Sequence, residues 1–100
     1  MSEKQFKTGY ICGVFDLFHV GHLSILERCK EMCDILIVGV CDDTYVKENK
    51  HRNPVYPEND RVSILKALKF VDDAELVDVE TTKDKLLVSN GTLTAEVSAN

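Results

Sequence analysis

Tyr10-Ile11-Cys12-Gly13-Val14-Phe15-Asp16-Leu17-Phe18-His19-Val20-Gly21-His22 is the stretch whose reading decides the fold. It opens with an apolar run over Tyr10–Phe15, and apolar residues recur at helical spacing from Leu23 onward. The pattern predicts a strand that turns into a helix, with two imidazoles and a glycine at the turn. The first N–H groups of a helix lack intrahelical partners and form the positive end of its dipole, so that position favours an anion. With 3 His and 5 Gly in 100 residues, H-x-G-H arises by chance on the order of 0.004 times per chain. Coincidence is therefore a poor account of it, and the motif reads as a site for the phosphates of a nucleoside triphosphate.

Working outward, residues 8–15 predict a strand buried on both faces, as in a parallel sheet covered by helices. Leu23, Ile25, Leu26, Cys29, Met32 and Cys33 follow at helical spacing, with Glu27, Arg28, Lys30 and Glu31 on the other side. Residues 35–41 form a second apolar run, rich in β-branched residues, so the unit is βαβ. Asp42-Asp43 ends that strand and predicts a short helix through Val46. Residues 47–57 are polar, basic and broken by Pro54 and Pro57, and predict a loop. Pro57-Glu58-Asn59-Asp60 predicts the start of a helix running to about Phe70, followed by a third strand over 74–79, less apolar and nearer an edge. Lys83–Val88 is predicted helical, and residues from Ser89 onward a tail without a clear period.

Composition narrows the function. One hundred residues with 44% hydrophobic and 29% charged side chains make one small globular domain. No apolar run approaches the length of a membrane span or a secretory signal, which predicts a cytoplasmic protein. A net charge of −5 disfavours a polymeric nucleic acid, which rewards a basic face through counterion release, but not a single nucleotide. Cys12, Cys29, Cys33 and Cys41 lack C-x-x-C spacing and fall on predicted inner faces, so they read as small buried hydrophobes and no metal site is expected.

Ligands of open α/β sheets bind outside the carboxyl ends of the strands. Phe15, Asp16 and H-x-G-H lie at that edge after the first strand, Asp42 and Asp43 after the second, and the segment carrying Lys47, Lys50 and Arg52 leaves from the same edge. His19 and His22 are suited to donate hydrogen bonds to phosphate oxygens. Gly21 permits close approach of a ligand or of the helix's first turn. At least one of Lys47 and Lys50 is expected to be catalytic. Arg61 is either an exposed first-turn residue or one that reaches the triphosphate, while His51 and Arg52 read as surface residues.

Gly13-Val14-Phe15-Asp16-Leu17-Phe18-His19-Val20-Gly21-His22 closely resembles the signature of the cytidylyltransferases, particularly the bacterial glycerol-3-phosphate cytidylyltransferases, within the H-x-G-H nucleotidyltransferase superfamily. The likeness continues through Leu26-Glu27-Arg28, Cys33–Val40, Asp42-Asp43, the lysine segment, Pro57–Arg61 and Lys69–Asp73, about residues 9–79 in all. The resemblance implies a Rossmann-like parallel sheet with flanking helices over residues 1–80, with residues 81–100 a C-terminal helix or tail. It implies transfer of CMP from CTP to a phosphorylated alcohol, with release of pyrophosphate and assistance from Mg²⁺. Glycerol 3-phosphate is the favoured acceptor, ahead of phosphocholine and phosphoethanolamine.

By matching motifs, His19, His22 and Lys50 would be catalytic. Val14 and Phe15 (through backbone), Gly21, Lys47 and Arg61 would bind nucleotide, and Asp16 and Asp42 would lie on the substrate side. Relatives often carry threonine where Val14 stands, so no hydroxyl contact carries over there. Lys69–Asp73 matches a segment that contributes to dimer contacts, which implies a homodimer. The family's later Arg-Thr-x-Gly-Ile-Ser-Thr-Thr motif is absent, Gly91-Thr92-Leu93-Thr94 being a faint echo without the arginine, so the domain reads as C-terminally truncated or as diverged in its C-terminal part. Two alternatives accompany this reading: an adenylyltransferase of the same superfamily, and a nucleotide-binding or dimerising module with little turnover.

Overall fold

The computed structural model describes residues 6–78 and 92–97. In chain order these form β1 (Phe6–Gly13), α1 (Val20–Met32), β2 (Cys33–Cys41), α2 (Asp43–Lys50), α3 (Glu58–Lys66), β3 (Asp73–Val77) and β4 (Thr92–Val97). The strands make one sheet in the order β3-β2-β1-β4, and every pairing is parallel. This is the Rossmann-like α/β architecture expected from the sequence. Chain order runs from β1 outward to β3, then resumes with β4 on the other side of β1. Such a reversal is the topological switch point of a doubly wound sheet, and here it lies beside the carboxyl end of β1.

The period-two alternation of β2 sorts its side chains between two layers. Leu36, Val38 and Val40 join Ile11, Phe15, Leu26, Leu65 and Ala74 in the main core. Ile37 faces the other way, with Tyr10, Cys12 and Val77. Gly39 is required there because a Cβ would stand 3.0 Å from Cζ of Tyr10 and 3.2 Å from Sγ of Cys12. Cys12, Cys33 and Cys41 are buried free thiols and Cys29 is half-buried, as the hydrophobe reading predicted. Among the described residues no helix is long and apolar enough to cross a membrane.

Several boundaries differ from the sequence expectation. β1 ends at Gly13 rather than Phe15, and α1 begins at Val20 rather than Leu23. Val20, Gly21 and His22 are therefore its first turn. Residues 47–50, predicted as loop, continue α2, because Lys and Glu favour helix and the first proline comes only at Pro54. His51 then ends α2 in the left-handed region, at φ 58°. α3 stops at Lys66 rather than near Phe70, and Ala67 closes its last turn. β3 is at the sheet edge, as its mixed composition predicted.

Residues 92–97, predicted as tail, form β4 paired along β1 from Thr8↔Thr92 to Gly13↔Val97. That segment lacks the continuous apolar run that betrayed the other strands, and its place beside β1 decides its conformation. The helix predicted over 83–88 lies outside the described residues. Asp72 fixes the turn before β3: its carboxylate accepts the N–H of Leu36 at 2.7 Å and Nζ of Lys30 at 2.8 Å. These bonds hold its carboxyl below the usual range, the Lys30 bond contributing most.

Leu26 is fully buried between α1 and the sheet. Leu26→Ala is expected to cost about 2–5 kcal/mol, measured as a lowered urea midpoint with an unchanged far-ultraviolet spectrum.

Candidate functional site at the carboxyl edge of the sheet

The first strand leaves the sheet through a strained turn. Phe15 and Leu17 adopt positive φ, 54° and 50°, at about 1–3 kcal/mol each for non-glycine residues. Burial of the Phe15 ring and the Asp16 carboxylate hold the turn. Asp16, only 2% exposed, accepts the N–H groups of Leu17 at 3.1 Å, Val55 at 2.7 Å and Tyr56 at 2.9 Å. Burial pushes its carboxyl up, but the Tyr56 and Val55 bonds and the Arg61 charge outweigh burial and bring it below the usual range. Asp16, expected on the substrate side, is instead a clamp joining the turn after β1 to residues 55–56.

The turn delivers His19 to the N-cap of α1. Its Nδ1 accepts the N–H of Gly21 at 3.0 Å, and Nδ1 of His22 accepts the N–H of His19 at 3.2 Å, within a reciprocal capping box. An Nδ1 that accepts leaves the proton of the neutral ring on Nε2, so each ring presents Nε2–H as its donor. The rings stack at 4.1 Å between centroids. A side chain at Gly21 would meet the His19 ring, whose Cε1 is 2.7 Å from an added Cβ.

The two histidines are not equivalent. His19 is exposed, whereas His22 is 1% exposed, edge-on to Phe15 at 5.6 Å and tilted against Phe18 at 5.3 Å. Of the two rings expected to contact the triphosphate, His19 is open to solvent, whereas His22 is shut beneath it and orients the cap.

Arg61 departs furthest from expectation. It is 0% exposed. Its Nη1 donates to the carbonyls of Val14 at 2.8 Å and Cys41 at 2.7 Å, and its Nε to that of Tyr56 at 3.0 Å. Nη2 pairs with Oδ1 of Asp43 at 2.6 Å. Neither a first-turn surface residue nor a triphosphate ligand, it ties the ends of β1 and β2 to α2 and α3. The sequence carried a signal for this: Arg61 lies on the same helical stripe as Leu65 and Leu68. Asp43 was not singled out from the sequence as a partner. It accepts from Arg61 and exchanges backbone-to-carboxylate bonds with Glu58.

The remaining candidates divide. Asp42, expected as a substrate contact, caps α2 through the N–H of Tyr45 at 2.7 Å. Val14 and Phe15 are buried at the end of β1, and the carbonyl of Val14 is committed to Arg61. Lys47 is exposed on α2. Lys50 is the last residue of α2, and its side chain lies outside the described residues. The structure thus brings His19, Gly21 and His22 together at the helix start, and places Asp16, Asp42 and Arg61 in the scaffold behind it.

A parallel sheet with a glycine-bearing helix start at its switch point defines a nucleotide-binding class of α/β fold. The chain belongs to the cytidylyltransferase-like family, whose sequence model matches residues 10–95. It is 38% identical over 89 residues to an FAD synthase of Thermococcus kodakarensis, covering 83% of this chain and 60% of that protein. It is 41% identical over 71 residues to a probable ethanolamine-phosphate cytidylyltransferase of Encephalitozoon cuniculi, covering 71% of this chain and 22% of that protein. In fold it is similar to a lipopolysaccharide core biosynthesis protein of Thermoplasma volcanium, with a TM-score of 0.72, 24% identity, and coverage of 95% of this chain and 98% of that one.

Two outcomes follow from the scaffold. Arg61→Met leaves the buried carbonyl groups and Oδ1 of Asp43 without their donor and is expected to cost about 3–5 kcal/mol in urea denaturation; Arg61→Lys does not restore it, since an ammonium lacks the planar fork. Asp16 titrates lower in the folded chain than in the unfolded one, so its stabilisation is fully present above about pH 4 and is lost as pH falls through the folded value. The gap in urea midpoint between the wild type and Asp16→Asn should be constant at neutral pH and shrink on acidification.

Proposed function

We propose that this domain transfers CMP from CTP to a phosphorylated alcohol, with glycerol 3-phosphate the favoured acceptor, and releases pyrophosphate. The observation that carries this reading is the His19 N-cap: an exposed imidazole, with Nε2–H as its donor, at the start of a thirteen-residue helix on the ligand-binding edge of the sheet. In the reaction an oxygen of the acceptor's phosphate attacks the α-phosphorus in line. The new P–O bond forms as the bond from the α-phosphorus to the bridging oxygen breaks, and the electron pair leaves with pyrophosphate. A phosphomonoester is largely dianionic near neutrality, so no general base is needed.

Such chemistry depends on position and charge stabilisation. His19 supplies a donor toward the triphosphate, the start of α1 adds the positive end of a helix dipole, and Lys50 supplies positive charge. His22 keeps His19 in place. The helix dipole is worth only about 0.3–1 kcal/mol, so the side-chain donors carry most of the acceleration.

Mg²⁺ is expected to travel with the nucleotide. Among the described residues no group of three His, Cys, Asp or Glu side chains is placed to hold a metal ion, and Asp16, Asp42 and Asp43 are engaged in clamping and capping. The described residues therefore offer no protein cage for the ion.

The chain spans 60% of the Thermococcus kodakarensis relative's length, so the activity of the whole protein rests on this proposal. A second reading is favoured by that relative's name. FAD consists of an AMP unit joined to flavin mononucleotide, which corresponds here to adenylyl transfer from ATP to a flavin phosphate. Pyrophosphate release measured for CTP and ATP, each against glycerol 3-phosphate, phosphocholine, phosphoethanolamine and flavin mononucleotide, separates the two. Turnover with CTP and glycerol 3-phosphate is expected; turnover confined to ATP and the flavin phosphate contradicts the cytidylyl reading. Nucleotide binding without release in any pairing supports a binding module instead.

His19→Ala is expected to lower kcat by about 10²–10³-fold and, because the N-cap of α1 is lost, to cost about 0.5–2 kcal/mol of stability without unfolding the chain. A folded variant with an unchanged rate removes this imidazole from the mechanism.

A further inference from the structure

Beyond the α1 corner, the described surface holds a second place suited to an anion. The last turn of α2 and the residues after it enclose a hollow of 340 Å³ lined by Lys47, His51, Arg52 and Asn53. None of these lining residues is acidic, in a chain whose net charge is −5. Cations in the last turn of a helix complement its dipole, which accounts for Lys47. That explanation does not reach Arg52 and Asn53, which lie beyond the end of α2. They are brought back over the helix because His51 takes a left-handed conformation, with φ 58°, and donates its N–H to the carbonyl of Lys47 at 3.0 Å.

The hollow also adjoins the α1 corner. Nη1 of Arg52 is 3.9 Å from Oδ2 of Asp16, an ion pair too long for a hydrogen bond. Asp16 belongs to the turn that delivers His19. In-line transfer needs a second anion beside the triphosphate, and two polyanions converging on one phosphorus repel unless each has its own cations. Lys47, His51 and Arg52 supply such charge at the end of α2, beside Asp16.

We propose that Lys47, His51, Arg52 and Asn53 form a subsite for the phosphomonoester group of the acceptor, separate from the site of the nucleotide's phosphates. Arg52 engages the phosphate oxygens through its planar fork, while Lys47 and His51 donate from the helix side. Asp16, 3.9 Å from Arg52, aims its guanidinium. The subsite reads a phosphomonoester irrespective of the alcohol it carries. It rests on the nucleotidyl-transfer reading and deepens it by giving the second substrate a location.

The test uses the full chain. The Cε1–H resonance of His51 is followed by NMR while inorganic phosphate, and separately glycerol 3-phosphate, is added at constant ionic strength. CTP affinity is measured in parallel by calorimetry. A saturable shift of His51 is expected with both probes. Arg52→Gln should weaken it about tenfold or more, and Lys47→Gln by a smaller factor, while CTP affinity in Arg52→Gln stays within about twofold. A linear, non-saturating drift of His51 overturns the subsite. Equal weakening of CTP and phosphate in Arg52→Gln also overturns it, by assigning the hollow to the nucleotide. A saturable His51 response in a chain that does not bind CTP supports the subsite and contradicts the triphosphate reading instead.

Discussion

The geometry of this domain depends on a guanidinium shut away from solvent. Arg61 holds the carbonyl groups of Val14, just past β1, of Cys41, at the end of β2, and of Tyr56 with three of its N–H groups, and pairs with Asp43 through a fourth. An ionised group in the interior is tolerated only when its donors are matched, and removing one partner then costs far more than a surface ion pair contributes. The seam between β1 and β2 is thereby closed from within. The turn after β1 starts from a fixed point, which allows positive φ at Phe15 and Leu17 to persist, with Asp16 clamping the outer side.

On that frame the chemistry is placed economically. A helix start at the switch point supplies the positive end of a helix dipole, and His19 caps the helix through Nδ1 while its Nε2 carries the outward proton. The acidic residues at the same edge are bound to backbone and to Arg61. Repulsion of a triphosphate is reduced accordingly, even though the whole chain is acidic. Lys47, His51 and Arg52 line one hollow at the end of α2, the place proposed for a second phosphate.

Much of the fold was legible because its central elements are periodic. Continuous apolar runs gave β1 and β2, a 3.6-residue recurrence gave α1, and H-x-G-H fixed the point where strand becomes helix. β4 was not legible, since its pairing with β1 is a long-range event that the polar segment around it does not announce; without it the switch point is invisible. The corner was legible as a helix start, and the residues that support it were misread. Asp16, Asp42 and Arg61 have the residue types of ligands, and only their partners reveal them as clamp, cap and seam. Arg61 alone carried a sequence signal, its alignment with Leu65 and Leu68. For Asp16 the partners lie about forty residues away, and no local pattern encodes them.

The central claim is that a nucleoside triphosphate rests against the start of α1. Backbone amide shifts recorded during a CTP titration of the uniformly ¹⁵N-labelled chain test it most directly. Saturable perturbations concentrated on residues 14–23, with the opposite ends of β1 and β2 near Phe6 and Cys33 undisturbed, are the predicted result. Saturation with His19, Gly21 and His22 unmoved would contradict the account.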